Sequence, residues 1–277
     1  REERMADHPR VSFLGPEATF THEAAIRHFG EEAEFVPAPT IASVFDETEA
    51  DRAEMGVVPV ENALEGTVNI TLDRLIDSPL VIVGEVSLPI DIHLLTKAER
   101  QGDIGRVLSH PHALAQCRRW LGENLPGIPV EERASTSLAA QDAGKDPSLA
   151  ALGSRMAAKK YGLDIMVEKL DTESINVTRF FVLGKKPSPP TDRSGTSLLF
   201  ALRNEPGALL GALTPIAQRG LNMTKIESRP SRRKAWDYVF FMDIEGHAED
   251  PELAGAIAEL KEKVEFFRLL GSYPTVG

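Results

Sequence analysis

The sequence predicts an α/β protein in which two small lobes with parallel, doubly wound sheets precede a smaller α+β domain. Three observations support this prediction. Short apolar strands alternate with hydroxyl-capped helices through residues 11–184, as is typical of parallel sheets. A polar, proline-rich stretch at residues 185–194 then interrupts the alternation, which indicates a linker. Residues 195–277 contain strands and helices in the order βαββαβ, which is ferredoxin-like.

Composition narrows the class of protein. The chain has 277 residues, of which 42% are hydrophobic and 26% charged, as expected for about two soluble globular domains. No apolar run approaches the roughly 18–20 residues that a membrane-spanning helix needs. Residues 1–10 are charged, lack a following apolar segment and are predicted to be disordered. With Cys117 as the single cysteine, no intrachain disulfide can form, and we expect a cytoplasmic protein.

The net charge limits the partners. A formal charge of −11 argues against binding to nucleic acid or to an anionic membrane surface. A small anionic ligand remains compatible with this charge if helix N-termini or a few basic side chains create a local positive site.

The first lobe should contain three short strands and three helices before a crossing segment. The predicted strands are Val11–Gly15, Glu34–Pro37 and Met55–Glu61. The predicted helices begin at Thr19 or Thr21, at Thr40 and at Asn69. The apolar run Leu80–Ile90 would extend about 35 Å, which is long for one internal strand and suits a segment that passes from one lobe to the other.

The second lobe repeats the alternation. The predicted strands are Arg106–Ser109, Ile128–Glu132, Leu149–Gly153 and Val167–Leu170, and the predicted helices are Pro111–Leu121, Ser135–Ala143 and Ser154–Tyr161. The crossings between the lobes are placed near residues 80–92 and 171–180. A ligand between two such lobes would meet helix N-termini, which favour carboxylates.

The carboxyl-terminal domain follows the linker. Its predicted strands are Thr196–Leu202, Leu221–Arg229, Asp237–Ile244 and Phe266–Tyr273, with helices from Pro206 to Gly220 and from Pro251 to Val264 and a polar turn at Ser231–Lys234. Phe240 and Phe241 should lie on opposite faces of their strand, which we interpret as pressure to dimerise.

The segment Asn176–Gly184 ends the two-lobed part of the chain. It places a hydroxyl and a fixed positive charge, on Thr178 and Arg179, directly before an apolar strand. Residue types alone favour an ordinary strand start, with a hydrogen-bonding threonine and a surface arginine, over a reactive site. The distinction depends on other motifs in the chain.

Several spaced motifs resemble one known family. They are Phe13–Thr21, Gly56–Thr67, Ser109 to Cys117 and Thr178–Phe180, followed by Asn204–Leu210 and Ile226–Pro230. In this order they resemble the prephenate dehydratases with a carboxyl-terminal ACT regulatory domain. The resemblance implies a two-lobed catalytic domain (residues 11–184) of the type II periplasmic-binding-protein fold, and an ACT domain at 195–277.

Two differences from the family accompany the resemblance. Ala18 stands where the family usually has glycine, so this loop is expected to be slightly stiffer. Fused members of the family carry a chorismate mutase domain upstream. Only about ten residues precede Val11, so we expect that activity to be absent.

The resemblance implies the conversion of prephenate to phenylpyruvate with loss of CO2 and water. This reaction needs no metal or organic cofactor. His110 and His112 lack the i, i+4 spacing of a helical metal-binding pair and are expected to be structural or exposed. Phenylalanine would act as an allosteric inhibitor, and a homodimer or homotetramer is expected.

The implied catalytic residues are Thr178, Arg179, Glu61 and Glu132. Thr178 would donate a hydrogen bond to the departing hydroxyl, a contribution worth roughly 3–4 kcal/mol for comparable donors. Arg179 would raise the positive potential or fix the strand, and Glu61, or secondarily Glu132, would supply the proton.

The residues expected to bind substrate are Asn62, Ser109, Gln116, Thr136, Ser137, Thr19 and Phe180. Those expected to bind phenylalanine are Pro206, Gly207, Ala208, Leu209, Leu210, Leu221 and Asn222.

Two alternatives stay open at this stage. The same site could dehydrate arogenate, which carries an amine where prephenate has a ketone. A two-lobed protein could also bind a carboxylate as a sensor without chemistry, because this fold serves binding as well as catalysis.

Overall fold

The computed structural model describes residues 8–170, 175–230 and 238–275. The predicted turn at Ser231–Lys234, most of the predicted disordered start and part of the predicted return crossing lie outside these residues. The chain forms two compact units. The first contains the residues up to Val44, Val57–Val68 and Ser87–Phe180, and the second contains Phe45–Gly56, Asn69–Val86 and the residues from Phe181 onward.

The strands of the described residues are β1 Arg10–Leu14, β2 Glu34–Ala38, β3 Met55–Asn62, β4 Gly66–Thr67, β5 Val81–Pro89, β6 His93–Thr96, β7 Arg106–Ser109, β8 Val130–Glu132, β9 Leu149–Gly153, β10 Asp164–Val167, β11 Val177–Gly184, β12 Ser194–Ala201, β13 Met223–Pro230, β14 Tyr238–Glu245 and β15 Phe266–Pro274. The α-helices are α1 Phe20–Phe29, α2 Ile41–Glu49, α3 Asn69–Asp77, α4 Pro111–Gln116, α5 Arg118–Asn124, α6 Thr136–Ala143, α7 Arg155–Tyr161, α8 Ala208–Gln218 and α9 Pro251–Lys263. Within the described ranges, no helix is both long and apolar enough to cross a membrane.

These strands form three sheets. The first has the order β2-β1-β3-β11-β5 with β4 beside β3, and the second has the order β10-β6-β9-β7-β8. The neighbours β1 and β2 are parallel, as are β7 and β8. Strands β5 and β6 belong to different sheets, so the chain changes sheets at residues 90–92, within the predicted crossing. The predicted two-lobed α/β architecture is confirmed.

The third sheet has the order β13-β14-β12-β15, which is the predicted ferredoxin-like arrangement. Helices α8 and α9 cover one face through a core that includes Leu198, Phe200, Met242 and Leu253. Phe241 is 4% exposed within the single chain, and the interpretation of Phe240 and Phe241 as pressure to dimerise stays a prediction. Phe240 stacks on Phe200, with ring centroids 5.4 Å apart.

Hydroxyl side chains begin several helices, as predicted. Thr19, Ser135 and Ser154 are the N-caps of α1, α6 and α7, and each accepts a hydrogen bond from a backbone N–H of the first turn. Thr40 accepts a hydrogen bond from the N–H of Ser43 in α2 at 3.0 Å.

Three predicted elements differ from the structure. The expected single helix Pro111–Leu121 is interrupted at Cys117, whose φ of −91° and ψ of 6° lie outside the helical region. The strand expected at Val167–Leu170 lies earlier, at Asp164–Val167, because the chain becomes extended soon after the left-handed Gly162 ends α7. Strand β8 begins only after Pro129, which has no N–H for a strand ladder.

Candidate active site

Strands β3 and β11 bring two sequence-predicted residues into direct contact within the first unit. The side-chain amide of Asn62 donates a hydrogen bond to the Thr178 hydroxyl oxygen at 2.8 Å. The same amide donates to Oδ1 of Asn176 at 2.7 Å. Both hydrogens of this amide are therefore used in fixing the segment that carries Thr178.

The turn after β3 fixes the orientation of Asn62. Its Oδ1 accepts hydrogen bonds from the backbone N–H groups of Leu64, at 2.9 Å, and Glu65, at 3.1 Å. Because the oxygen is held by the turn, the NH₂ group must face Thr178. The Thr178 oxygen is thus an acceptor from Asn62, and its own hydroxyl hydrogen can be donated to a ligand.

Asn176 extends this contact to the second lobe. Its side-chain amide donates to Oε1 of Gln116 at 2.8 Å, which connects α4 to the segment before β11. Gln116 and Asn62 are predicted site residues, whereas Asn176 is not among those predicted from the sequence. The available signal was strand alternation, because residues two apart share a face and Thr178 is two residues after Asn176.

Glu61 and Arg179 form a second pair on the same two strands. Oε2 of Glu61 lies 3.9 Å from Nη1 of Arg179, and the Arg179 side chain is 19% exposed. Strand alternation directs these two side chains to the opposite face from Asn62 and Thr178. The geometry therefore supports Arg179 as a partner of Glu61 and gives Glu61 no direct contact with the Thr178 hydroxyl.

Three of the other predicted hydroxyl groups, those of Ser109, Ser137 and Thr19, have structural partners. Ser109 is fully buried and donates to the Leu152 carbonyl at 2.8 Å. Ser137 donates to the Glu17 carbonyl. Thr19 donates to the Leu14 carbonyl at 3.1 Å as well as capping α1. These hydroxyl groups can still accept a hydrogen bond from a ligand, but their hydrogens are occupied.

Thr136 and Phe180 have different surroundings. Thr136 is the first residue of α6 and is half-buried. Phe180 is 1% exposed and belongs to the core, and its predicted contact with substrate stays a prediction.

Glu132 is the last residue of β8, opposite Ser109 of β7. It lines a surface cavity of about 390 Å³. The other residues around this cavity are Pro111, Leu114, Ala115, Arg118, Leu121, Gly122, Leu125, Gly127, Ile128 and Val130. Neither Thr178 nor Asn62 lines it. The catalytic roles of Glu61 and Glu132 stay predictions.

Two histidines stand at the start of α4. Nδ1 of His112 lies 2.5 Å from Oε2 of Glu65, which belongs to the turn that orients Asn62. Burial lowers the pKa of His110, the neighbouring His112 lowers it further, and Glu132 opposes the shift. Among the described residues, no group of three or more histidine, cysteine or acidic side chains is placed to hold a metal ion.

The loop before α1 packs against the second lobe. Ala18 has a φ of +61° and is 1% exposed, in a core cluster with Leu95 and Leu108. Its backbone N–H donates to Nδ1 of His22 at 3.0 Å. Glu17 forms an ion pair with Lys160 of α7, which lowers the pKa of the Glu17 carboxyl group. The alanine that departs from the usual glycine thus contributes its methyl group to a core.

The predicted regulatory residues lie in two places, at the start of α8 and directly before β13. Gly207 has a φ of +82°, a conformation that glycine adopts without strain, and precedes the helix. Leu209 is 38% and Leu210 74% exposed, so both present apolar surface to solvent in the single chain. Asn222 precedes β13 and its carbonyl accepts a hydrogen bond from Glu245 at 3.0 Å.

The fold and site together define a two-lobed α/β domain with an oriented hydroxyl group, followed by a ferredoxin-like domain. Residues 11–188 match the prephenate dehydratase family, and residues 196–262 match the ACT domain. The chain therefore belongs to the prephenate dehydratase family.

Individual relatives agree with this assignment. A bifunctional chorismate mutase/prephenate dehydratase from Aquifex aeolicus is 48% identical over 265 residues, which are 96% of this chain and 73% of that protein. The crystal structure of a prephenate dehydratase in complex with L-Phe from Arthrobacter aurescens superposes with a TM-score of 0.88 at 32% identity, covering 96% of this chain and 90% of that one. A structure described as GqqA, a novel type of quorum quenching acylase, is also similar, with a TM-score of 0.86, 32% identity and coverage of 96% and 97%.

Proposed function

We propose that this protein converts prephenate to phenylpyruvate, CO2 and water in phenylalanine biosynthesis, and that phenylalanine inhibits it. Membership of the family supports the reaction. The observation that carries the proposal is the hydrogen bond from Asn62 to Thr178, because Thr178 accepts this bond and can donate its own hydroxyl hydrogen to a ligand.

The reaction requires two bonds to break. The bond between the ring and its carboxylate breaks, and its electron pair enters the ring as CO2 leaves. The ring C–O bond breaks at the opposite carbon, and the departing oxygen takes one proton to leave as water. Aromatisation drives both events, so the protein's main contributions are positioning and stabilisation of the departing oxygen.

In this proposal Thr178 donates its hydrogen bond to the departing oxygen. Because a threonine hydroxyl is a weak acid, a carboxyl group is proposed as the source of the proton, with Glu61 before Glu132. Glu61 lies next to Asn62 in sequence but on the opposite face of β3, so it would pass the proton to the departing oxygen through a water molecule. Glu132 lines a separate cavity. Arg179 would hold Glu61 and supply positive charge for a substrate carboxylate.

The similarity to a described acylase gives a second activity to measure. Hydrolysis of an acyl group through a serine would require a hydroxyl paired with a general base. Ser109 and Ser137 instead donate to backbone carbonyls. Neither serine is therefore paired with a general base as an acyl-transfer nucleophile would be.

A direct assay tests the function. The purified chain is mixed at neutral pH with prephenate, and in parallel with arogenate and with an N-acyl amide, and products are identified by mass spectrometry. We expect phenylpyruvate from prephenate well above the spontaneous rate. A turnover no faster than the spontaneous reaction would remove the proposed function, and a preference for arogenate would change its substrate.

Regulation is proposed to begin at the start of α8. The exposed Leu209 and Leu210 beside Gly207 offer apolar contacts for the ring of phenylalanine. Leu221 would add an apolar contact and Asn222 a hydrogen-bonding group. Phenylalanine would bind one arrangement of the chain more tightly and so shift the population toward a less active form. We propose a homodimer or homotetramer that acts in the cytoplasm. Light scattering of the purified chain with and without phenylalanine tests the oligomer.

A further inference from the structure

Helix α3 is held at both ends by arginines of the carboxyl-terminal sheet. All the residues involved belong to the second compact unit. Arg229 lies in β13 and Arg268 lies in β15, which are the two edge strands of that sheet. Helix α3 therefore receives a contact from each edge of the carboxyl-terminal sheet, β13-β14-β12-β15, which we call the regulatory sheet.

Arg229 contacts the amino-terminal half of α3. Its Nη1 donates to Oδ1 of Asn69 at 2.8 Å, and its Nη2 and Nε donate to Oδ1 of Asp73 at 2.9 and 3.3 Å. Asn69 and Asp73 are four residues apart and thus share one face of the helix. The Arg229 and Asp73 side chains are only 17% and 18% exposed, so solvent screens this ion pair less than an exposed one.

Arg268 contacts the carboxyl-terminal end of α3. It donates to the carbonyls of Leu75 at 3.2 Å, Ile76 at 3.3 Å and Leu80 at 3.1 Å, and also to that of Ser78. The last carbonyls of a helix lack partners within the helix and carry its negative dipole end, so a guanidinium stabilises them. Burial lowers the pKa of Arg268, but an arginine keeps its charge at physiological pH.

The beginning of α3 is joined to the turn that orients Asn62. Asn69 directly follows Val68, whose N–H donates to the Val60 carbonyl of β3 at 2.8 Å. Asn62 itself pairs with Gly66 between β3 and β4. Fewer than ten residues therefore separate Asn62, whose amide holds Thr178, from Asn69, the first residue of α3. The hydrogen bonds above hold this short segment in place.

We propose that α3 transmits the regulatory signal, with Arg229 and Arg268 as its two attachments to the ACT domain. A rearrangement of the regulatory sheet would displace α3, and the displaced helix would move the turn that positions Asn62. Arg229 and Arg268 are positioning residues in this scheme and do not touch substrate. The inference rests on the proposed inhibition by phenylalanine and specifies its route.

The test separates the binding of phenylalanine from its inhibition of catalysis. Asp73→Asn and Arg229→Gln each remove the ion pair, and the double variant completes a mutant cycle. Asp46→Asn is the matched control, because Asp46 pairs with Arg74 of the same helix at 2.7 Å and belongs to no strand of the regulatory sheet. Thermal unfolding of every variant verifies that it is folded.

Calorimetry measures phenylalanine binding, and kcat/KM is measured with and without saturating phenylalanine. Allosteric coupling typically changes an affinity by about 5–150-fold. We expect each single substitution to remove most of the factor by which phenylalanine lowers kcat/KM, while phenylalanine still binds. The double variant should lose no more inhibition than the more affected single variant. Asp46→Asn should be inhibited like the unmodified chain.

Hydrogen exchange supplies a second readout that a purely structural role would not change. Phenylalanine should alter the exchange of α3 amides in the unmodified chain and in Asp46→Asn, but much less in Arg229→Gln. Full inhibition of Asp73→Asn and Arg229→Gln, with phenylalanine bound, would overturn the proposed route. A failure of the proposed regulation itself would appear separately, as an unmodified chain that phenylalanine does not inhibit.

Discussion

The amide nitrogen of Asn62 lies 2.8 Å from the hydroxyl oxygen of Thr178 and donates a hydrogen bond to it. Because the Asn62 oxygen is held by the backbone of the following turn, this donor cannot exchange places with its acceptor. The Thr178 oxygen is consequently held as an acceptor from Asn62, and its own hydrogen can be donated to a ligand. Such preorganisation is what stabilises a developing charge most effectively.

Replacing Thr178 tests whether its hydroxyl acts in the reaction. Thr178→Ala should lower kcat by about a hundredfold or more with little change in KM, because loss of one preorganised donor costs roughly 3–4 kcal/mol in the transition state. Thr178→Ser retains the hydroxyl and should keep most of the activity. Steady-state kinetics on prephenate measure both. A near-normal kcat for the alanine variant would remove Thr178 from the mechanism.

Replacing Asn62 with aspartate reverses the direction of the key hydrogen bond. The aspartate keeps an oxygen for the N–H groups of Leu64 and Glu65, so the turn should form normally. Its other oxygen can only accept, and it would draw the Thr178 hydroxyl hydrogen away from the substrate. We expect Asn62→Asp to reduce kcat about as strongly as Thr178→Ala.

The double variant sharpens this prediction. If Asn62 acts through the Thr178 hydroxyl, then Asn62→Asp combined with Thr178→Ala should be little worse than either single variant. Multiplied effects would instead mean that Asn62 contributes independently, for example by binding substrate.

Substitutions at Ala18 test whether the strain of its backbone conformation or the burial of its methyl group contributes more to stability. Its φ of +61° is unfavourable for a residue with a side chain by roughly 1–2 kcal/mol. Its buried methyl group recovers about 1 kcal/mol. Ala18→Gly should therefore change the free energy of unfolding by less than about 1 kcal/mol. Ala18→Val adds a β-branched side chain at the same φ within a packed core and should destabilise by about 2 kcal/mol or more. Denaturant unfolding of both variants measures the difference.

His22 gives the stability a pH dependence. Burial lowers the pKa of His22, Glu17 opposes the shift and Lys160 reinforces it. Its Nδ1 accepts the N–H of Ala18, which requires that this nitrogen carry no proton. In the unfolded chain, His22 takes up a proton as the pH falls through about 6.5. In the folded chain, His22 takes up this proton only at a lower pH. Stability should be complete above about pH 6.5 and should fall as the pH is lowered further.

The control for this prediction is His22→Asn. Asparagine can present an oxygen near the position of Nδ1 but does not titrate. The free energy of unfolding, measured by denaturant between pH 7.5 and 5, should fall less steeply for this variant. Burial also lowers the pKa values of His28 and His93, so part of the slope should remain. An unchanged slope would mean that His22 does not contribute.

Local sequence patterns were sufficient for most of the fold. The hydroxyl caps at Thr19, Ser135 and Ser154 were predicted correctly because capping depends on neighbouring residues. The break at Cys117 was not predictable from periodicity, since the hydrogen bonds from Cys117 to Ala113 and from Leu121 to Cys117 preserve helical spacing across it.

The candidate site could not be predicted fully from local sequence patterns. Thr178, Asn62 and Gln116 were identified through motifs, but Asn176, which joins them, was overlooked because its partners are 60 and 114 residues away. The contacts of Arg229 and Arg268 with α3 depend likewise on how distant segments pack. No spacing in the sequence indicates them.

The hydrogen-bonded chain from Gln116 through Asn176 and Asn62 to Thr178 has a kinetic consequence. Its bonds join residues separated by 60, 114 and 116 positions, and closing such loops is entropically costly and slow compared with forming helices. During refolding, helical circular dichroism should therefore recover before enzymatic turnover. A nascent chain emerging from the ribosome would remain inactive until β11 has been synthesised, so the reaction cannot begin on a protein that still lacks its last catalytic strand.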